Sequence, residues 1–145
     1  MKLSTLFSKP ISLAEKHVPT SVKTEKTAWV IMFTENKLIL GKRAPSVRNP
    51  NLWNFFGGHV DAGETPEEAA VRELYEEVKV KANKSDLKLI STIGNATYFS
   101  YRVNGIQGKT TSEVSKISLF KLTDLPNNLH SKTENFFNSL EKILG

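Results

Sequence analysis

The chain has no cysteine, which excludes disulfides and thiolate metal sites from the outset. No apolar run is long enough to cross a membrane, and Met1 to Phe7 is too short and too polar-interrupted for a secretory signal. These absences set the expectation of a cytoplasmic protein without a membrane partner. Repeats, low-complexity tracts and internal linkers are lacking too, so the 145 residues are read as one domain, at 25–145, preceded by an N-terminal arm at 1–24. Acidic residues are in the minority, with 15 Asp and Glu against 20 Lys and Arg and a net charge of +5. The basic residues are scattered rather than blocked. They favour an anionic partner without separating a nucleotide from nucleic acid.

Against that basic background one stretch is acidic. Gly58 to Val80 reads GHVDAGETPEEAAVRELYEEVKV, with Arg72, Glu73, Glu76 and Glu77 crowded together and Glu64 between them and the glycines. Thr65-Pro66-Glu67-Glu68 is a capping box with proline at the first helical position. Ala70, Val71, Leu74 and Val78 follow at helical spacing as an apolar stripe. At about 100° per residue, Glu73, Glu76 and Glu77 fall within one arc roughly 100° wide, and Ala69 inside it leaves room for an approaching group. Three carboxylates that close repel one another, and a hard divalent cation with oxygen ligands would relieve them. A solvated helix face is the competing reading, supported by Lys79 and Lys81 nearby. Two facts stand against it. Glu76 and Glu77 lie near the helix end, where the dipole disfavours negative charge, and Glu73 has no basic residue three or four positions away. Spacing alone leaves both readings open.

These residues resemble the signature of the Nudix hydrolase family. Its box runs Gly, five residues, Glu, seven residues, Arg-Glu, an aliphatic residue, any residue, Glu-Glu, any residue, Gly and an aliphatic residue. Gly58, Glu64, Arg72, Glu73, Leu74, Glu76, Glu77 and Val80 stand in that register. Lys79 departs from it, replacing the glycine that closes the helix, and a left-handed lysine there costs about 1 kcal/mol. The similarity extends over roughly residues 27 to 144, through Leu38 to Arg43, Trp53 to Phe55, and Leu119 to Leu122 with Leu125-Pro126.

The rest of the chain predicts alternating elements. Thr27 to Phe33 reads as a strand, Glu35-Asn36-Lys37 as a hairpin loop and Leu38 to Leu40 as a second strand. A polar loop runs through Pro50, and Trp53 to Phe56 makes an apolar approach to Gly57-Gly58. Strands are expected at 87–93 and 97–103, with Asn104-Gly105 turning 97–110 into a hairpin. Ile117 to Leu122 gives a further strand. A helix from Lys132 to Leu144, capped by Ser131, presents Phe136, Phe137, Leu140, Ile143 and Leu144. Pro10 and Pro19 break the arm, which is expected to hold one short strand or helical turn and to be available for homodimer contacts. This order fits an α/β sandwich with a mixed β-sheet, and the resemblance implies the Nudix-type α/β/α version.

The resemblance implies a pyrophosphohydrolase that cleaves the phosphoanhydride of a nucleoside diphosphate linked to another moiety. A nucleoside triphosphate, nucleotide sugar, ADP-ribose or dinucleoside polyphosphate would serve. Glu73, Glu76 and Glu77 would be metal ligands for Mg²⁺, or Mn²⁺, with the Gly58 carbonyl contributing. Glu64 would be a loop ligand or its support, and Arg72 would orient a carboxylate. Attacking water needs a carboxylate to take its proton, and Glu76 or Glu113 can do so. Arg43 and Arg48 are candidates to grip phosphate, against the solvated reading that is the commoner fate of an exposed arginine. Trp53, Phe55, Tyr98 and Tyr101 are candidates to stack on a base, although aromatics in strands are more often core. His59 reads as a bystander, and His17 and His130 carry no motif. The alternative is a catalytically weak nucleotide- or RNA-binding module, for which Lys79 and the basic balance are the only support.

Overall fold

The computed structural model describes residues 2–11 and 26–144. The central strand is β1 (Thr27–Thr34), whose β-branched and aromatic residues are buried on both faces. Alternation along it separates two cores: Trp29, Ile31 and Phe33 enter one, while Ala28, Val30 and Met32 enter the other. A tight turn with Glu35 at φ 52° leads into β2 (Lys37–Arg43), which pairs antiparallel with β1. Lys37 therefore belongs to the strand, opposite Thr34, and the loop is shorter than the sequence suggests.

Five more strands complete a mixed seven-stranded sheet: β3 (Trp53–Asn54), β4 (Phe56–His59), β5 (Lys88–Ile93), β6 (Ala96–Arg102) and β7 (Val114–Lys121). β6 runs parallel to β1, β4 shares the antiparallel edge of β1 with β2, and β7 lies antiparallel to β2. Helix α2 (Pro66–Val78) covers one face through Ala69, Ala70, Leu74 and Val78. The other face is covered by α3 (Ser131–Leu144), through Phe136, Phe137 and Leu140, and by the short α1 (Leu3–Leu6). The expected α/β/α sandwich is the fold observed. Leu3 and Phe7 lie inside the α3-side core, and Ile11 N–H donates to the Ile90 carbonyl at 2.6 Å. The first part of the arm thus packs on the chain itself. Residues 12–24, with Pro19 and His17, and the side chains of Ile143 and Leu144 lie outside the described residues.

Three expectations need correction. The Asn104-Gly105 hairpin does not form. Both edges of β6 are already taken, by β1 and β5, so the chain after Arg102 has no free edge to pair with. The hairpin is instead β5–β6, turning at Gly94-Asn95 with Gly94 at φ 58°. Ser131 does not cap α3. His130 does, its Nδ1 accepting from the Lys132 amide at 3.2 Å and its carbonyl accepting from the Thr133 and Glu134 amides. Ala69, finally, is fully buried in the α2-side core and leaves no space beside the glutamates.

Candidate active site

The sequence places the site on α2 and the loop before it, and local chemistry fixes both. Thr65 Oγ1 accepts from the Glu68 amide and Glu68 Oε1 accepts from the Thr65 amide, so the capping box is formed in both directions. The preceding turn is closed by Glu64, which accepts from the Asp61 amide at 3.0 Å. Arg72 then gathers the loop and the helix. Its guanidinium reaches Glu64 (2.8 Å), Glu73 (2.9 Å), Glu76 (3.2 Å), Asp61 (3.4 Å) and the His59 carbonyl (3.0 Å). The fork holds Glu64 as an anion, with a pKa lowered to about 2 by the Arg72 hydrogen bond first and the Asp61 amide next.

Glu77, together with Glu73 on the cleft side of its contact with Arg72, lines a cleft of about 560 Å³. Its walls include Gly57 and Gly58 of β4, Arg43, Arg48, Glu113 and Lys132. Gly58 lies close against Glu73: a Cβ there would stand 2.8 Å from its carboxyl carbon, so any side chain at 58 would displace that carboxylate. Glu77 is buried, its Oε1 accepting from the Gly57 amide at 2.7 Å. Burial, followed by the charges of Glu73 and Glu113, pushes its pKa well above the ordinary carboxylate value despite that hydrogen bond. Glu73 is also pushed up, by burial first, with Glu76 and Glu113 adding to it against the pull of Arg72. Of these carboxylates Glu77 is buried, Glu73 is partly exposed and already paired with Arg72, and Glu113 is exposed on the cleft wall.

The fit to a divalent cation is therefore one of chemistry. The donors are all oxygens, and among the described residues Glu77 and Glu113 form no ion pair, so a cation would stabilise their charged forms. The side chains are not drawn into a finished cage. Among the described residues no three His, Asp or Glu groups stand together as a preformed metal cluster, since Arg72 occupies Glu64, Glu73 and Glu76.

Known proteins resemble this chain. Residues 23–140 match the model of the NUDIX domain. The chain belongs to the Nudix family. Among curated relatives, an 8-oxo-dGTP diphosphatase of Escherichia coli is 38% identical over 58 residues, 40% of this chain and 45% of that protein. An RNA pyrophosphohydrolase of Vibrio atlanticus is 52% identical over 40 residues, 28% of this chain and 22% of that protein. The matched stretch is thus less than half the length of these relatives. Among solved structures, DR0079 from Deinococcus radiodurans gives a TM-score of 0.65 at 20% identity, covering 79% of this chain and 82% of that one. The C. elegans Ap4A hydrolase gives 0.60 at 19%, covering 82% and 98%. At such identities the structural likeness shows the Nudix fold.

Within this Nudix domain the box residues divide. Glu73, Glu77 and Gly58 line the cleft together with Glu113, Arg43 and Arg48. Glu76 is half exposed on the far side of Arg72, and Glu64 lies in the neighbouring 59–64 turn; neither lines the cleft. Trp53 is not there either. It packs edge-on against Phe120 at 4.9 Å, away from the cleft walls. Phe55 and Tyr98 are core, and Tyr98 O–H donates to the Lys132 carbonyl at 2.6 Å.

The aromatic that does line the cleft is Trp29, with His130 beside it at 6.0 Å between ring centres. His130 reaches the site because residues 128–130 lie along β3. The Trp53 amide donates to Asn128 and the His130 amide to Trp53. Burial, then Arg43 and Lys132, lowers the pKa of His130. No local motif announces Trp29, His130 or Lys132. The only sequence signal is a hydrophobic strand whose first residues end beside the glycine pair.

Proposed function

We infer that the protein is a metal-dependent pyrophosphohydrolase cleaving the phosphoanhydride of a nucleoside diphosphate linked to another moiety. The observation that carries this is one cleft lined both by carboxylates, Glu73, Glu77 and Glu113 with Gly58, and by cations, Arg43, Arg48 and Lys132. Cations on side chains suit the phosphate oxygens of the substrate, while Glu77 and Glu113, which form no ion pair among the described residues, suit Mg²⁺ or Mn²⁺. Such an ion, when bound, supplies charge neutralisation at the reacting phosphate.

The chain's own residues do the rest. Arg43 is held for its task by its Nε donating to the Arg48 carbonyl at 2.7 Å, and both arginines line the cleft. Trp29 and His130 wall the end where the organic part of the substrate would lie. Glu113 lines the cleft and Glu76 does not, which favours Glu113 as the base. Water oxygen bonds to one phosphorus as its bond to the bridging oxygen breaks. The water proton passes to the Glu113 carboxylate, and the bridging oxygen leaves on the second phosphate.

Relatives named 8-oxo-dGTP diphosphatase and RNA pyrophosphohydrolase support trying nucleoside triphosphates and RNA first. The test is release of nucleoside monophosphate or pyrophosphate from these, from nucleotide sugars, ADP-ribose and dinucleoside polyphosphates, with Mg²⁺ and with EDTA. Turnover of one class that EDTA abolishes is expected. Binding without turnover on every member would favour the binding-module reading.

A further inference from the structure

The end of α2 is finished by a loop from elsewhere in the chain. A helix leaves its last four carbonyls without intrahelical partners. Here Lys79, left-handed at φ 60° and ψ 28°, returns its amide to Tyr75. The carbonyls of Glu77 and Val78 are satisfied from the 103–113 loop between β6 and β7: Thr111 Oγ1 donates to Glu77 at 2.6 Å and the Lys109 amide donates to Val78 at 2.8 Å. Gly108, at φ 98°, allows that approach, since a Cβ would meet the Val78 oxygen at 3.0 Å.

The same hydroxyl has a second set of partners. Thr111 Oγ1 accepts from the amides of Glu113 (3.3 Å) and Val114 (3.4 Å), while the Thr111 amide donates to the Val114 carbonyl at 2.9 Å. One oxygen thus ties the backbone of Glu77 to the turn that presents Glu113. The turn is pinned again where the Ala44 amide donates to the Glu113 carbonyl, beside an irregularity in the β2–β7 register at Lys42/Arg43. Glu113 itself is exposed and forms no ion pair among the described residues, so these backbone anchors set its place.

The geometry points to Thr111 as a positioning residue: its hydroxyl couples the end of the box helix to the Glu113 turn and holds that carboxylate opposite Glu73 and Glu77. This rests on the hydrolase reading for its effect on turnover, but not for the coupling itself. The variants are Thr111→Val, which keeps the shape and removes the hydroxyl, and Thr111→Ser, which keeps the hydroxyl. Each is made alone and with Glu113→Gln, in the full chain. On the best substrate of the panel, Thr111→Val is expected to lower kcat about tenfold with KM within about twofold, and Thr111→Ser to retain kcat. In the Glu113→Gln background the valine should cost nothing further, because the group it positions is gone. Amide hydrogen exchange supplies a readout free of activity. Thr111→Val should raise exchange at 78–80 and 111–114 together, and the serine variant should not.

An unchanged kcat and unchanged exchange in Thr111→Val would overturn the inference. So would a serine variant as impaired as the valine, or the same loss of kcat with and without Glu113. A wild-type protein inert on the whole panel would defeat the hydrolase reading, and exchange alone would then decide whether Thr111 couples the two segments. Exchange also decides if Glu113→Gln leaves too little turnover to measure.

Discussion

Glu77 shows most clearly how much a single side chain is asked to bear. It is buried, it accepts one backbone hydrogen bond, and its neighbours Glu73 and Glu113 carry the same charge. Its folded pKa lies above its ordinary value, so between the two the folded state binds the extra proton. Stability from this group is therefore present at low pH and is lost as pH rises from about 4.5 through the raised value. Glu64 has the opposite sign: its pKa is lowered to about 2, so its contribution is present above about 4.5 and fades as pH falls towards 2. Glutamine at position 77 keeps an oxygen for the Gly57 amide and removes the charge. In EDTA, Glu77→Gln should melt above wild type at pH 8, and the two curves should converge by about pH 4.5. Thermal melts across that range check this, and a glutamine variant melting lower at pH 8 would contradict it.

Among the elements, α2 decides the site, and its two ends were unequally legible. The N-terminus was readable because Thr65, Pro66 and Glu68 act on residues within one turn. The C-terminus was not, because its partners, Lys109 and Thr111, come from a loop some thirty residues further on. The Lys79 departure is absorbed without disturbing the helix: lysine takes the left-handed cap, and its ammonium lies 5.0 Å from the Tyr75 ring centre. Glycine at 79 would remove a left-handed strain of about 1 kcal/mol and forfeit a cation–π contact of about 0.5 kcal/mol. Lys79→Gly should therefore raise the unfolding free energy by about 0.5 kcal/mol in urea titration, and a fall of about 1 kcal/mol or more would contradict this account. The same contrast explains the β6 error. Asn104-Gly105 is a sound local turn signal, but whether a hairpin follows depends on a free sheet edge, and both edges of β6 are occupied.

Across the whole molecule, the sandwich was legible from strand and helix periods, and the acidic half of the site from the box. The other half was hidden. Trp29 looked like any residue of a buried strand, and His130 and Lys132 reach the cleft only because residues 128–130 lie along β3. We propose that the legible half, Glu73 and Glu77 with Glu113, holds a divalent cation in the cleft. Electron paramagnetic resonance of free Mn²⁺, titrated into wild type and Glu77→Gln, tests it without a substrate. Saturable binding by the wild type, weakened at least about tenfold in the variant, is the result expected. Equal affinity in the two proteins, or no saturable binding in either, would contradict it.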